Sequence, residues 1–226
     1  MHETAVIGLG YVGLPLCLQF ARSGGGTLGL DIDPAKVAAL GRGERYIAHI
    51  ASADIKAQVE GGRLRVSTDF TELRSASAII VCVPTPLNRN RGPDLTYVLA
   101  TAEAIAPLLQ RGSLVVLEST TYPGTTDGEF RGTLERISGL EAGVDFHLAF
   151  SPEGEDPGNP ESDLRRMPKR VGGFTPECTA KACALYARVV KQVVPVSSCR
   201  VAEAAKLLEN IFHSVNIALV NELKLV

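Results

Sequence analysis

The sequence has almost no charge of one sign to spare: 23 Lys and Arg against 25 Asp and Glu leave a formal net charge of −2 over 226 residues. Nucleic acid and anionic membrane surfaces bind chiefly through a basic excess, so neither is expected as a partner. Long apolar runs are also missing. The nearest to one, residues 211–226, is broken by His213, Ser214, Asn216, Asn221, Glu222 and Lys224, whereas a membrane span needs about 18 or more near-continuous apolar residues. The opening MHETAVIGLG has no basic stretch ahead of its short, glycine-cut apolar run, which argues against a secretory signal. The five cysteines, Cys17, Cys82, Cys178, Cys183 and Cys199, form no CxxC pair and are odd in number. That pattern fits reduced thiols in a cytoplasmic protein better than a disulfide framework, and no metal site is expected.

What is present is ordinary for a globular chain: 45% hydrophobic and 21% charged residues, with 22 glycines and no low-complexity tract. The length gives one large domain, or one domain and part of another. Short β-branched runs at 5–7, 28–32, 64–66, 78–83, 114–117 and 146–150 alternate with amphipathic segments. Strands apolar on both faces and separated by helices predict an α/β fold, a doubly wound parallel sheet of Rossmann type with right-handed crossovers. A loop rich in Pro, Gly and Asp (SPEGEDPGNPESD) follows, then a break at Gly173, a helix over 176–190 and a last strand over 193–196. Residues 1–196 thus read as one domain. Ser197 and Ser198 are N-cap candidates for a final helix over 199–226, whose 28 residues would span about 42 Å. It meets no Gly or Pro stop and ends in mid-pattern, so the chain is expected to be cut off there.

The chemistry begins at Gly8-Leu9-Gly10-Tyr11-Val12-Gly13, which follows the first strand directly and opens a helix, with Asp31 at the end of the second strand. Gly8 permits the tight turn, Gly10 lets a pyrophosphate approach the backbone, and Gly13 lets helix pack on strand. The helix N-terminus offers its free N–H groups to the phosphates. Asp31 would accept hydrogen bonds from an adenosine ribose, and its charge repels a 2′-phosphate, so NAD is favoured over NADP.

Pro84-Thr85-Pro86 and Glu118-Ser119-Thr120-Thr121 end two further strands, at the sheet edge where open α/β folds bind ligands. Their hydroxyls can line a cofactor cleft or serve as ordinary turn chemistry. On the last helix Glu203, Lys206, Asn210 and His213 recur at steps of three or four and share a face. The rest of that helix is largely apolar, which predicts burial, and a buried lysine is costly unless paired or used. The stripe is read either as a solvated Glu203–Lys206 pair or as catalytic machinery.

Taken in order, IGLGYVGLPL, VCVPTPLNRNRGPDLTYV, LVVLESTTYPGTT, SPEGEDPGNP, MPKRVGG and RVAEAAKLLENIFHSVNIALVNELKLV resemble the UDP-glucose/GDP-mannose dehydrogenase family over essentially the whole chain. The branch they are most similar to is the UDP-N-acetylglucosamine/UDP-N-acetylmannosamine 6-dehydrogenases. The resemblance implies NAD-dependent oxidation of a sugar C6 alcohol through an aldehyde to the uronic acid, by way of a cysteine thioester. It implies cofactor contacts at Gly8, Gly10, Tyr11, Val12, Gly13, Asp31, Lys36, Thr85 and Thr120. Lys206 and Asn210 match the proton-handling and oxyanion-stabilising pair, Glu153 the glutamate of thioester hydrolysis, and Thr120 the residue that helps hold the water. A UDP-sugar would lie against Gly154, Glu155, Lys206, Asn210 and His213; residues 1–196 would be the NAD-binding domain and 197–226 the start of a long central linker helix that leads into a second, C-terminal domain absent from this sequence, and a homodimer would form through that helix. Three features differ from the family pattern. The glycine-rich GGHC-type motif that carries the nucleophilic cysteine does not occur here, and Gly154 and His213 stand where arginines are common. The chain alone is therefore expected to be inactive, with UDP-glucose or GDP-mannose as alternative substrates of the parent protein. The other reading is a noncatalytic NAD-binding fragment or paralogue.

Overall fold

The computed structural model describes residues 2–87, 92–153 and 167–225. It opens with β1 (His2–Ile7), α1 (Gly13–Arg22), β2 (Thr27–Leu30), α2 (Pro34–Gly41), α3 (Ser52–Glu60), β3 (Leu64–Ser67) and β4 (Ala76–Val81). There follow α4 (Thr96–Ile105), β5 (Leu114–Leu117), a π-helical turn (Thr126–Phe130) running into α5 (Arg131–Ser138), and β6 (His147–Phe150). The chain ends in β7 (Lys169–Gly173), α6 (Pro176–Tyr186), β8 (Val193–Val196) and α7 (Cys199–Leu223).

All eight strands join one sheet in the order β3-β2-β1-β4-β5-β6-β7-β8. Every pairing is parallel except that of β6 with β7. The doubly wound architecture read from the sequence is therefore present, with its switch point between β1 and β4. Alternate side chains feed two cores. Ile7, Ile79, Val81, Val115 and Leu117 pack on one face with α4, α5 and the start of α7, while Val6, Ile80 and Val116 pack on the other with α1 and α6. Each large side chain so buried contributes about 1.5–3 kcal/mol relative to exposure.

Two expectations fail here. Gly173 is not a break but the end of β7, a strand missed in the sequence. Its glycines serve close packing: a Cβ at Gly172 would lie 2.1 Å from the Ser198 carbonyl oxygen, and one at Gly173 2.2 Å from the Thr179 nitrogen. The strand thus brings α6 and the start of α7 against the sheet, at the expense of the β-branched residues that would have announced it. Helix α6 also stops at Tyr186 rather than 190; Thr175 caps it, accepting from the Cys178 N–H, with Pro176 at its first position.

Helix α7 is capped as expected, Ser198 accepting from the Val201 N–H at 3.3 Å, and its 25 residues span about 38 Å. The expectation that it is buried does not hold within this chain. Only Cys199, Ala202 and Glu203 are buried; Leu208, Phe212, Val215, Ile217 and Leu223 are all more than half exposed. Only its first turns meet the sheet, so the apolar residues beyond them have no partner in the described structure. Among the described residues no helix is long and apolar enough to cross a membrane.

Candidate active site

The first strand delivers the glycine loop to the carboxyl edge of the sheet. Gly8 has φ +90°, a backbone that side-chain-bearing residues avoid, and a Cβ there would lie 2.4 Å from the Cys82 carbonyl oxygen. A Cβ on Gly13 would lie 1.8 Å from the Gly8 carbonyl oxygen. At Gly10 a Cβ would meet nothing within 4 Å, so open space lies over the middle glycine. Helix α1 begins there with no side-chain cap on Val12; α3, α4 and α5 also lack one, whereas α2, α6 and α7 are capped by Asp33, Thr175 and Ser198. An uncapped helix end beneath an open glycine suits a phosphate.

Asp31, only 6% exposed, is held by the same loop. Its Oδ2 accepts from the Leu9 N–H at 2.9 Å and from Lys36 Nζ at 3.3 Å, and its Oδ1 from the Asp33 N–H at 3.0 Å. A carboxylate offers about four acceptor positions, so one remains. Tyr11, 69% exposed, stacks on His49 with centroids 6.2 Å apart, and the Tyr46 hydroxyl donates to the Leu9 carbonyl at 2.5 Å. Open glycine, uncapped helix and fixed acid together fit a dinucleotide.

Across the switch point, the loops after β4 and β5 are laced together. The Thr85 hydroxyl donates to the Thr120 carbonyl at 2.7 Å, and the Ser119 hydroxyl both donates to the Val83 carbonyl at 2.7 Å and accepts from its N–H at 3.0 Å. Thr85 and Thr120, both half-buried, therefore share one wall of the crevice.

Glu153 follows β6 and Lys206 stands on α7, near enough for the charge of the one to act on the other. Burial pushes the Glu153 carboxyl up; the Lys206 ammonium opposes that rise, Glu118 adds to it and Lys169 opposes it. Lys206 keeps only 15% of its side chain exposed, its Nζ 3.8 Å from Glu209. The Glu203–Lys206 surface pair is not formed. Glu203 is fully buried and turned into the loop after β5, so the stripe splits. Asn210 and His213 lie exposed further along α7, His213 against Phe212. Gly154 and Glu155 lie outside the described residues.

Sequence reasoning missed a buried network behind Glu153. Lys169 Nζ donates to Glu118 Oε2 at 2.8 Å and to the Pro152 carbonyl at 3.1 Å, while the Tyr186 hydroxyl donates to Glu118 Oε1. Lys169 also sits over the Tyr186 ring, 5.1 Å from its centroid. The ion pair has its hydrogen bonds completed by tyrosine and backbone, as a buried pair must. Glu118 and Lys169 both stood inside quoted motifs, but no local spacing joins them.

Two cysteines lie near the crevice. Cys17 is buried and pushed up to about 12, and Cys82 is raised well above a free thiol by burial and by Glu118. Among the described residues no group of three or more His, Cys, Asp or Glu could hold a metal ion.

Residues 2–190 match the model of the UDP-glucose/GDP-mannose dehydrogenase family, NAD binding domain. A UDP-N-acetyl-D-glucosamine 6-dehydrogenase of Pseudomonas aeruginosa is 36% identical over 99% of this chain and 52% of its own length. A UDP-N-acetyl-D-mannosamine dehydrogenase of Escherichia coli K12 is 40% identical over 98% of this chain and 54% of its own. The solved UDP-D-ManNAc dehydrogenase of Pyrococcus horikoshii superposes with a TM-score of 0.92 at 36% identity, covering 97% of this chain and 52% of that one. The chain spans about half the length of the curated relatives it matches. With its glycine loop, fixed Asp31 and switch-point crevice, it belongs to the UDP-glucose/GDP-mannose dehydrogenase family and carries that family's NAD-binding domain.

Proposed function

We propose that this chain is the cofactor-binding half of an NAD-dependent nucleotide-sugar 6-dehydrogenase that oxidises the C6 alcohol of a UDP-N-acetylhexosamine to the uronic acid. What supports the reading is a largely buried Lys206 whose charge acts on the half-buried Glu153 carboxyl, together with the hydroxyl of Thr85 laced to Thr120 at the carboxyl edge of the sheet. When bound, NAD supplies the hydride acceptor. Gly8, Gly10, Val12 and Gly13 would receive its pyrophosphate, Asp31 and Lys36 its ribose, and Tyr11, Thr85 and Thr120 the rest of its contacts. Lys206 would take the proton from the C6 hydroxyl and, with Asn210, hold the developing oxyanion. Glu153, with its carboxyl raised, would act as the base for water held by Thr120. Gly154, Glu155 and His213 would complete the sugar side. The relatives above are named for UDP-N-acetyl-D-glucosamine and UDP-N-acetyl-D-mannosamine, which favours that branch over UDP-glucose or GDP-mannose. The exposed apolar face of α7 supports a homodimer built on that helix.

The test is turnover by the complete gene product on a panel of UDP- and GDP-sugars. A UDP-N-acetylhexosamine should be preferred, and Lys206→Ala should lower kcat by about two to four orders of magnitude with NAD affinity nearly unchanged. A fully active Lys206→Ala protein refutes the role given to the lysine.

A further inference from the structure

Glu203 is a buried carboxylate with an unusual set of partners. Its Oε1 accepts from the Thr126 N–H at 2.9 Å, the Thr126 hydroxyl at 2.6 Å and the Thr121 hydroxyl at 3.3 Å; its Oε2 accepts from the Gly124 N–H at 2.7 Å. All four donors belong to the turn that follows Thr120 and runs into the π-helical turn at Thr126–Phe130. The acceptor stands on α7, three residues before Lys206, on the one part of that helix that is buried. A second anchor lies outside it, where Arg200 Nε donates to Asp127 Oδ2 at 2.8 Å. The Thr120 end of the loop is fixed independently by the Thr85 hydroxyl. Beyond Lys206 a further contact reaches the sheet, Arg170 to Glu209 at 3.4 Å across a half-exposed surface, so the buried fastening of the helix lies at Glu203 and sets its depth and rotation; a shift of about 1 Å at a reacting group can cost a hundredfold in rate.

We propose that Glu203 is a positioning residue: it ties the helix bearing Lys206 to the loop bearing Thr120, and so fixes the ammonium of Lys206 against Glu153. The inference rests on the reading of Lys206 and Glu153 as partners at one site. An acceptor-only group is required, because every partner is a donor. Glutamine would keep one oxygen for Thr126 and Thr121 but turn its N–H groups toward the Gly124 N–H, donor against donor. Alanine would leave the loop's buried donors unpaired.

The readout is the titration of the Glu153 side chain, followed by carbon-13 NMR on the 226-residue chain, which needs no turnover. Burial raises the Glu153 carboxyl and the Lys206 ammonium opposes that rise, so Lys206→Ala should raise its midpoint further. Glu203→Ala should raise it in the same direction with Lys206 still present, Glu203→Gln should raise it less, and the double variant Glu203→Ala/Lys206→Ala should go no higher than Lys206→Ala alone. Amide exchange at Gly124, Thr126 and the first turns of α7 should quicken in step. Should Glu203→Ala fail to fold, Glu203→Gln and Thr126→Val carry the same comparison. A midpoint that rises in Lys206→Ala but stays put in the folded Glu203 variants overturns the proposal. A midpoint indifferent to Lys206→Ala overturns the Lys206–Glu153 pairing itself, and the inference with it. In the complete gene product, Glu203→Gln should lower kcat about 10- to 100-fold with KM for NAD nearly unchanged.

Discussion

Gly10 and Gly13, three residues apart, should respond to the same methyl group in opposite ways. At Gly13 the added Cβ would lie 1.8 Å from the Gly8 carbonyl oxygen and 3.2 Å from the Cys82 Cβ. Neither backbone nor strand can yield without moving α1 off the sheet, which places Gly13→Ala at the upper end of overpacking, about 3 kcal/mol. For a chain of this size each kcal/mol shifts Tm by about 2–4 °C, so the loss should be about 6–12 °C. At Gly10 the Cβ meets nothing within 4 Å, and the stability of the free protein should change by no more than about 0.5 kcal/mol. The cost appears when cofactor is added, because the methyl occupies the space a pyrophosphate needs. At an NAD concentration about 100 times Kd, the wild-type chain gains about 2.7 kcal/mol from binding. A tenfold loss of affinity cuts that gain to about 1.4 kcal/mol, roughly 3–5 °C less thermal protection. Differential scanning fluorimetry with and without NAD reads both quantities on one plate. Gly10→Ala protein protected by NAD as well as the wild type, or Gly13→Ala protein as stable as the wild type, would refute the reasoning.

Asp31→Asn keeps an acceptor for the Leu9 N–H but removes the charge facing a 2′-phosphate, so calorimetry should show the preference for NAD over NADP shrink by about tenfold, near 1.4 kcal/mol; an unchanged ratio counts against the assignment. Lys169→Met strands Glu118, 2% exposed, without its cation, and should destabilise the chain by about 3–5 kcal/mol in urea unfolding, with Glu118→Gln in the same chain returning part of the loss. The isolated chain should self-associate through α7 as its concentration rises in sedimentation experiments, since Leu208, Phe212, Val215 and Leu223 lie uncovered; Phe212→Glu should suppress the effect, and a strictly monomeric wild type would argue that the helix face is not an interface.

The parts of this molecule legible in the sequence are those in which a short stretch carries the whole physical reason. The glycine loop and Asp31 fall within one unit of strand, helix and strand, β1 to the end of β2, and the structure seats them together. Ser198 could be read as a cap because a cap involves only the next three residues. Strand β7 was hidden because Gly172 and Gly173 answer to the approach of α6 and of the Ser198 backbone, not to strand propensity. The Glu118–Lys169–Tyr186 network joins residues 51 and 68 positions apart, a distance no periodicity spans. Helical spacing sets Glu203 beside Lys206 and leaves open a surface pair or a shared site, whereas the donors of Gly124 and Thr126, 79 and 77 positions earlier in the chain, claim the carboxylate. The apolar pattern of α7 predicted that the face is covered and could not say by what; among the described residues nothing covers it.

The most direct test compares this 226-residue chain with the complete gene product, each given NAD and a UDP-N-acetylhexosamine, with NADH and uronate both counted. Oxidation of an alcohol to an acid removes two hydrides, so the account predicts about two NADH per uronate from the complete protein. From the chain alone it predicts NAD binding without uronate, because burial raises the thiols of Cys17 and Cys82, the two cysteines beside the glycine loop and the strand that follows it, away from the thiolate that would carry the acyl group. Uronate formed by the chain alone, or no NADH from a complete protein that binds NAD and is offered every sugar of the panel, would contradict it.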